Sequence, residues 1–370
     1  MSAPPIPVLH VLVSTQPGGG PQHVLALALG LRARGWHPMV AGPPGGALVP
    51  RFREEGLPIF PLAADRLSPL TLVRLVRLVR RHGVRLLHSH GKGAGLHARL
   101  AARVTGVPAV HTLHGIHYER YRGPARVAYL ALERRLSAWT RVVVNVSRTQ
   151  EAEGLALGLF QPRQSVVILN GVDVARLAAR AVDRWDARAE LGLDQHAPVV
   201  GCAARFDEVK RLDLLLRAVA RVTPPATVAL IGGGAEEARL RAIAAEVGLG
   251  DRARFAGEVA DAARLFKAFD VLAATSRKEG LPLAVVEAMA LGLPVVATDI
   301  PAHREVLGPA SYGLVEASVG AVAARLTAVL ADPALGERLG AENRTRARSE
   351  FDARDMLAAV EGVYRELMGV

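Results

Sequence analysis

The stretch TSRKEGLPLAVVEAMALGLPVVATD, residues 275–299, decides how the rest of this 370-residue chain is read. FDVLAAT (269–275) leads into it, a short apolar run of core-strand length. Residues 283–291 are rich in Ala, Leu, Met and Glu, which favour a helix. Gly292 falls where such a helix would stop, and PVVAT restarts a β-branched strand. Strand, loop, helix, strand is the repeating unit of a parallel α/β sheet. Glu279 lies in the loop and Glu287 on the helix, eight positions further on. If all of it were helical, a little over two turns would separate them. They are placed to grip two parts of one long ligand. The backbone N–H groups of Gly280, Leu281, Leu283 and Ala284 point from a helix N-terminus, where anions bind.

The same alternation runs outward in both directions. Residues 8–14 (VLHVLVS) read as a buried first strand, followed by QPGGGPQ, a helix over about 21–34 and a strand at 37–41. The loop glycines, Gly18 and Gly19 among them, do not form GxGxxG. They fit either a backbone that a ligand approaches closely or a plain tight turn. Further strands are expected at 84–89, 109–113, 142–146 and 166–169, with helices between, and NGVD (170–173) is a turn that closes the first domain. A second series follows: strand 199–204, helix 212–222, strand 227–231, the turn Gly232-Gly233-Gly234, helix 236–247, then strands near 253–255, 271–275, 295–298 and 313–315. The tail from about 333 to 370 reads as helical throughout. The expected fold is α/β, with two doubly wound parallel-sheet (Rossmann-like) domains facing across a cleft. They span 1–172 and 173–350, with a C-terminal helix at 351–370 packing back on the first.

Charge is divided between the halves. Residues 1–170 carry 21 Lys+Arg against 7 Asp+Glu, a net of +14, and the remainder carries 25 against 28, a net of −3. An anionic partner for the first half follows. Within SPLTLVRLVRLVRR (68–81), Arg74, Arg77 and Arg80 form one helical stripe opposite Leu and Val. We read it as a helix covering the sheet with a solvated outer face; attachment to an anionic membrane is the sharper alternative. Only 4% of residues are aromatic and no known nucleic-acid module is visible, so nucleic acid is not an expected partner. The single cysteine, Cys202, excludes an internal disulfide and lies in an apolar strand, as a core residue would. No apolar run approaches the roughly 18 residues of a spanning helix, and the N-terminus lacks a basic n-region. A cytoplasmic chain, peripheral at most to the inner face of the cell membrane, is expected.

Arg205 and Lys210 (AARFDEVKRLD) follow the first strand of the second domain, at the carboxyl end of a parallel sheet where ligands bind. Two cations there suit a diphosphate and its departure. Histidines cluster in HSHGKGAG (His88, His90) and HTLHGIHY (His111, His114, His117). The last three would line up only on a helix, and no HExxH, cysteine or paired carboxylate accompanies them, so no metal is expected. His114, before Gly115 at a strand end, suits a polar group reaching into a cleft. Lys92, between two glycines, could meet an anionic acceptor or simply begin a helix. No DxD triad is present, so a diphosphate would be neutralised by Arg205, Lys210 and helix amides in place of Mg²⁺ or Mn²⁺.

At these residues the chain resembles the retaining glycosyltransferases of the family 4 type, which have the GT-B fold. EGLPLAVVEAMALGLPVV resembles their E-x7-E motif, with Glu279 and Glu287 as its carboxylates. PGGGPQHVLALALGL resembles the N-terminal glycine loop and first helix, and VVILNGVD the interdomain turn. HSHGKGAGLHARLAARVTGVPAVHTLHG is similar to capsule and exopolysaccharide members, and residues 204–210 to the Arg and Lys diphosphate site. The resemblance implies a nucleoside-diphosphate sugar as donor, no cofactor or metal, and a saccharide or lipid-diphosphate-linked acceptor. It implies that Glu279 and the amides of Gly280, Leu281, Leu283 and Ala284 hold the donor sugar, and that Glu287 takes the ribose hydroxyls. Arg205 and Lys210 would stabilise the leaving diphosphate, Gly18 and Gly19 approach the phosphates, and Gly257, Glu258 and Val259 line the base. His114 would face the sugar from the first domain, with Lys92 and His117 toward the acceptor. Ala204 and Arg211 stand where the family often has glycine, and Pro21 where many members have an acidic residue. A different reading, a non-catalytic partner that binds a nucleotide sugar, has the full set of Glu279, Glu287, Arg205 and Lys210 against it.

Overall fold

The structure is a computed structural model that describes residues 4–116, 118 and 121–370. Two compact units are present: residues up to Asn170 together with Arg354–Val370, and Gly171–Ala353. Among the described residues, no single helix is long and apolar enough to cross a membrane.

The first unit is built on strands β1 (Ile6–Leu12), β2 (Trp36–Gly42), β3 (Ile59–Pro61), β4 (Leu86–His90), β5 (Ala109–Leu113), β6 (Val142–Asn145) and β7 (Ser165–Val167). They lie in the order β3-β2-β1-β4-β5-β6-β7, and every pairing is parallel. β1 shows why the sheet is buried on both sides. Successive side chains alternate faces, so Leu9 and Val11 pack with Leu75, Val79, Ala94 and Ala98 while Val8 packs with Leu27 and Leu31. The helix Pro69–Arg81 starts on a Ser68 cap, whose side chain accepts from the Thr71 N–H, and turns Thr71, Leu75 and Val79 inward. It covers the sheet, as its apolar face requires. β3 went unforeseen because three residues ending in proline carry no periodicity to read.

The tail is not one helix. Helix Pro333–Glu350 stops, Phe351 leaves the helical conformation (φ −129°, ψ 31°), Asp352 forms an isolated bridge, and helix Ala353–Met368 follows. The break has a backbone cause: Val172 donates to the Phe351 carbonyl (2.8 Å) and Ala353 donates to the Val172 carbonyl (3.1 Å). The Phe351 N–H still bonds the Ala347 carbonyl, and beyond it these bonds take the place of the helical ladder. The last helix packs Met356, Val360 and Tyr364 onto Leu86, Val110 and Val144 of the first sheet. Glu361 accepts from Arg34 at 2.8 Å and from the Trp36 indole at 3.4 Å.

The second unit has strands β8 (Val199–Ala203), β9 (Thr227–Ile231), β10 (Ala253–Gly257), β11 (Val271–Ala274), β12 (Val295–Thr298) and β13 (Leu314–Val315). Their order is β10-β9-β8-β11-β12-β13, again all parallel. Both sheets therefore reverse direction beside their first strand, between β1 and β4 and between β8 and β11. Such a reversal opens a crevice at the carboxyl ends, the usual ligand position in open α/β sheets. Cys202 is buried in this core, and burial pushes its thiol up to about 12, so it is no nucleophile at neutral pH. Arg188, also buried, donates to the carbonyls of Asp194, Gln195, Ala197 and Ala268 and to Asp270, and so is committed to structure.

Candidate active site

In the second unit the chemistry collects where the sheet reverses. The loop after β8 carries Arg205 and then a short 3-10 turn, Glu208–Lys210, whose Asp207 cap accepts from the Lys210 N–H. The loop after β11 carries residues 275–282 into helix Leu283–Ala290. Three bonds stitch the two loops together. The Thr275 hydroxyl lies 3.0 Å from both the Lys210 and Arg211 carbonyls, and the Arg277 N–H donates to the Val209 carbonyl at 2.8 Å. Lys210 is thereby brought to Glu279, 69 residues away, and its ammonium donates to Glu279 Oε1 at 2.7 Å. The Ser276 hydroxyl donates to the same oxygen at 2.6 Å. Behind this pair, the Thr298 hydroxyl donates to the Ser276 carbonyl (2.6 Å), and His303 Nδ1 bonds the Thr298 carbonyl (2.7 Å).

The two motif carboxylates have opposite electrostatics. Burial raises Glu279, but the Lys210 charge and the bonds from Lys210 and Ser276 outweigh it and hold the carboxyl below its ordinary value. Glu287 sits on the helix, and burial, with the Asp261 charge adding, pushes it up to about 8. The Val285 and Val286 N–H groups bond the Pro282 carbonyl, so Leu283 and Ala284 supply first-turn donors with no partner inside the helix. Arg205 is separate from the Lys210–Glu279 pair: it is 66% exposed and pairs with Asp207 at 3.1 Å. Gly257 ends β10, and its carbonyl accepts from the Gly232 N–H at 2.8 Å. Glu258 follows next to Gly233, and Val259 is half-buried. Gly232 has φ +141°, and a Cβ on it would lie 1.9 Å from the Ala204 carbonyl oxygen. Glycine is therefore required at that turn. Arg211 is the one described residue other than glycine with a positive φ, 51°.

The first unit places its own groups at the carboxyl edge. Helix Gly19–Ala33 begins after Gly18, and a Cβ on Gly20 would lie 3.6 Å from the His114 ring. His114 follows β5 in a loop clamped by one side chain: Gln150 Nε2 donates to the Leu113 carbonyl (2.8 Å), and Gln150 Oε1 accepts from the Gly115 N–H (3.0 Å). His114 Nε2 and His90 Nδ1 are 3.2 Å apart, and His90 Nε2 and His10 Nδ1 are 3.1 Å apart. Burial lowers the pKa of His88, His90, His111 and His114 well below the imidazole value, so all four are neutral at pH 7. The Lys92 ammonium lies over the rings of Tyr121 and Tyr129, 4.1 and 4.2 Å from their centroids. His117 lies outside the described residues.

Two family sequence profiles match most of the chain. That of Glycosyltransferase Family 4 matches residues 17–176, and that of Glycosyl transferases group 1 matches 183–346. A lipopolysaccharide core biosynthesis mannosyltransferase, LpsB of Rhizobium meliloti, is 30% identical over 64% of this chain and 71% of its own. The chain belongs to the family 4 glycosyltransferases. This transferase is also 27% identical to the putative glycosyltransferase EpsD of Bacillus subtilis, over 90% of this chain and 91% of that one. In fold it matches Anabaena HepE, solved with UDP and glucose, at a TM-score of 0.86 and 22% identity, over 98% of this chain and all of that one. The fold is GT-B.

Several groups that position the transferase's site carry no local signal. Ser276, Thr298 and His303 support Glu279 from three separate segments. Gln150 and the pair His10 and His23 lie far in sequence from the histidines they adjoin. Of these, only Ser276 lay within reach of sequence reasoning, three residues before Glu279 in the same loop.

Proposed function

We propose that the transferase moves a sugar from a nucleoside-diphosphate sugar to a saccharide or lipid-diphosphate-linked acceptor, with retention at the anomeric carbon and without a metal. The setting is cell-surface polysaccharide or glycoconjugate synthesis, in the cytoplasm at the inner face of the membrane. One observation carries the reading: Lys210 and Glu279, tied at 2.7 Å, stand where the second sheet reverses, beside the free first-turn donors of a helix. Lys210 and those donors receive the diphosphate and hold its charge as the glycosidic C–O bond breaks. Arg205, exposed on its loop, exchanges Asp207 for phosphate oxygen. Glu279 takes the sugar through Oε2, Oε1 being committed to Lys210 and Ser276. Glu287 takes the ribose, and Gly257, Glu258 and Val259 line the base. In the first unit, Gly18 and Gly19 admit the phosphates, His114 meets the sugar, and Lys92 and His117 the acceptor. Positioning and charge stabilisation supply the rate without a tuned acid/base pair. The names of LpsB and EpsD and the UDP and glucose of HepE support the substrate class. The net +14 of residues 1–170 supports an anionic acceptor or membrane surface.

A calorimetric screen of nucleoside diphosphates and their sugars tests this, followed by analysis of the product anomer in the presence of a chelator. Micromolar binding of one nucleotide class, retained configuration and chelator-insensitive turnover are expected. Binding of none of them would sink the proposal, and binding without turnover would favour the non-catalytic partner.

A further inference from the structure

The first sheet gathers six histidines, His10, His23, His88, His90, His111 and His114, and all are neutral at pH 7. Two triplets among them bring ring nitrogens within 4.8 Å of one another: His10, His88 and His90, and His23, His90 and His114. In the first, His88 has both ring nitrogens engaged. His88 Nδ1 is bonded to the Tyr364 hydroxyl at 2.5 Å, and His88 Nε2 to the Thr112 hydroxyl at 2.7 Å. The second shares His90 but replaces His10 and His88 with His23 and His114. His23 is 5% exposed, and neither of its ring nitrogens has a partner within hydrogen-bonding geometry; the Asn170 side chain is its polar neighbour and is itself left with an unpartnered Oδ1. Its ring stands 5.1 Å from that of His114 and 5.7 Å from that of His90. His90 Nδ1 and His114 Nε2 are 3.2 Å apart. Two imidazole nitrogens bound tetrahedrally to Zn²⁺ at about 2.0–2.1 Å stand roughly 3.3 Å apart, so these two already have the spacing of co-ligands. The outer shell is present too. The far nitrogen of His90, Nε2, is 3.1 Å from His10 Nδ1; with Nε2–H as the donor of that bond, Nδ1 is left with its lone pair for a metal.

We propose that His23, His90 and His114 form a binding site for a single Zn²⁺ ion or a similar borderline transition metal, with three imidazole ligands and a fourth, open position. Among the described residues no carboxylate or thiolate belongs to the triplet, which disfavours Mg²⁺ and Ca²⁺. The metal is not needed for sugar transfer. It takes the Nε2 of His114 away from any substrate, and so acts as an inhibitor that competes at that residue.

The test uses untagged, chelator-treated full-length protein and CoCl₂ as the probe, because tetrahedral Co²⁺ gives strong visible bands and six-coordinate Co²⁺ does not. One equivalent per chain with a tetrahedral spectrum, displaced by ZnCl₂, is expected. His23→Ala should lower affinity at least tenfold and remove the visible bands. His114→Ala, at a half-exposed position, does the same with less risk to folding. His10→Asn, which removes the ring that bonds His90 and packs beside His88, weakens binding by about 10–100-fold. His37→Ala, at an exposed position of β2, leaves it unchanged. No stoichiometric binding, a six-coordinate spectrum, or binding indifferent to both His23→Ala and His114→Ala would overturn the proposal. These readouts do not depend on transferase activity, so they stand apart from the fate of the proposed function.

Discussion

Glu279 and Glu287 are the same side chain, eight residues apart, driven by the fold toward opposite protonation states. Glu279 is ionised because an ammonium and a hydroxyl converge on one of its oxygens. Its contribution to stability is present above the ordinary carboxyl value and is lost as pH falls below it. Glu287 behaves inversely: its pKa is raised to about 8, so its contribution is present below the ordinary value and is lost as pH rises through about 8. Glu287→Gln should therefore gain thermal stability relative to the parent between pH 5 and 8.5, measured by scanning calorimetry at both ends. If the carboxylate is the form that accepts the ribose hydroxyls, nucleoside diphosphate binding by the parent tightens from pH 7 to 9. Glu287→Gln flattens that dependence, and a parent profile already flat in calorimetry would remove Glu287 from the ribose. Lys210→Ala should lower kcat by about 10²–10³, the loss typical of one transition-state charge stabiliser. A kcat within twofold of the parent would mean that Lys210 only orients Glu279.

At the scale of elements, the site depends on turns more than on strands. Gly232 lets β9 pass the Ala204 carbonyl, and a methyl there would collide at 1.9 Å with the loop that bears Arg205. Gly232→Ala is thus expected to cost at least about 2 kcal/mol, which chemical denaturation would report. Arg211 holds a left-handed conformation at φ 51°, which costs a side-chain-bearing residue about 1–2 kcal/mol. Arg211→Gly should be tolerated while the β-branched Arg211→Val destabilises, so equal stability of the two would show that the turn relaxes. The histidine cluster gives the first unit its acid response. Burial lowers His10 to about 3 and His23 to about 4. A lowered imidazole adds stability above the ordinary value near 6.5 that is lost as pH falls toward the folded value. Metal-free protein should lose melting temperature steeply below pH 6, and His10→Asn with His23→Gln should make the slope shallower.

For the whole molecule, most of the architecture was legible from the sequence. The alternation of β-branched runs with Ala- and Leu-rich segments, punctuated by glycine, read as two doubly wound parallel sheets. The two sheets observed share one strand order. Legibility failed where the deciding interaction is remote. The tail reads as helical throughout, without the break at 351–352, because nothing local shows that Val172 pairs with Asp352. Arg205 and Lys210 are alike in sequence; only the stitching by Thr275 and Arg277 brings Lys210 to Glu279 and leaves Arg205 paired with its own neighbour Asp207. His10 and His23 stood in different elements from the histidine motifs, and only strand order brings them together.

The last helix has a consequence for how the chain is made. Tyr364, fully buried, Met356 and Val360 complete the core of the first sheet, which is otherwise finished by residue 170. During synthesis the second unit has all of its residues before the first has its closing helix. The first sheet must therefore wait, with one apolar face open, for about 180 residues of other protein to emerge at roughly 5–20 residues per second. Its exposure to wrong partners is set by the length of the unit in between, and chaperone dependence should fall if the chain is permuted so that residues 354–370 are translated first.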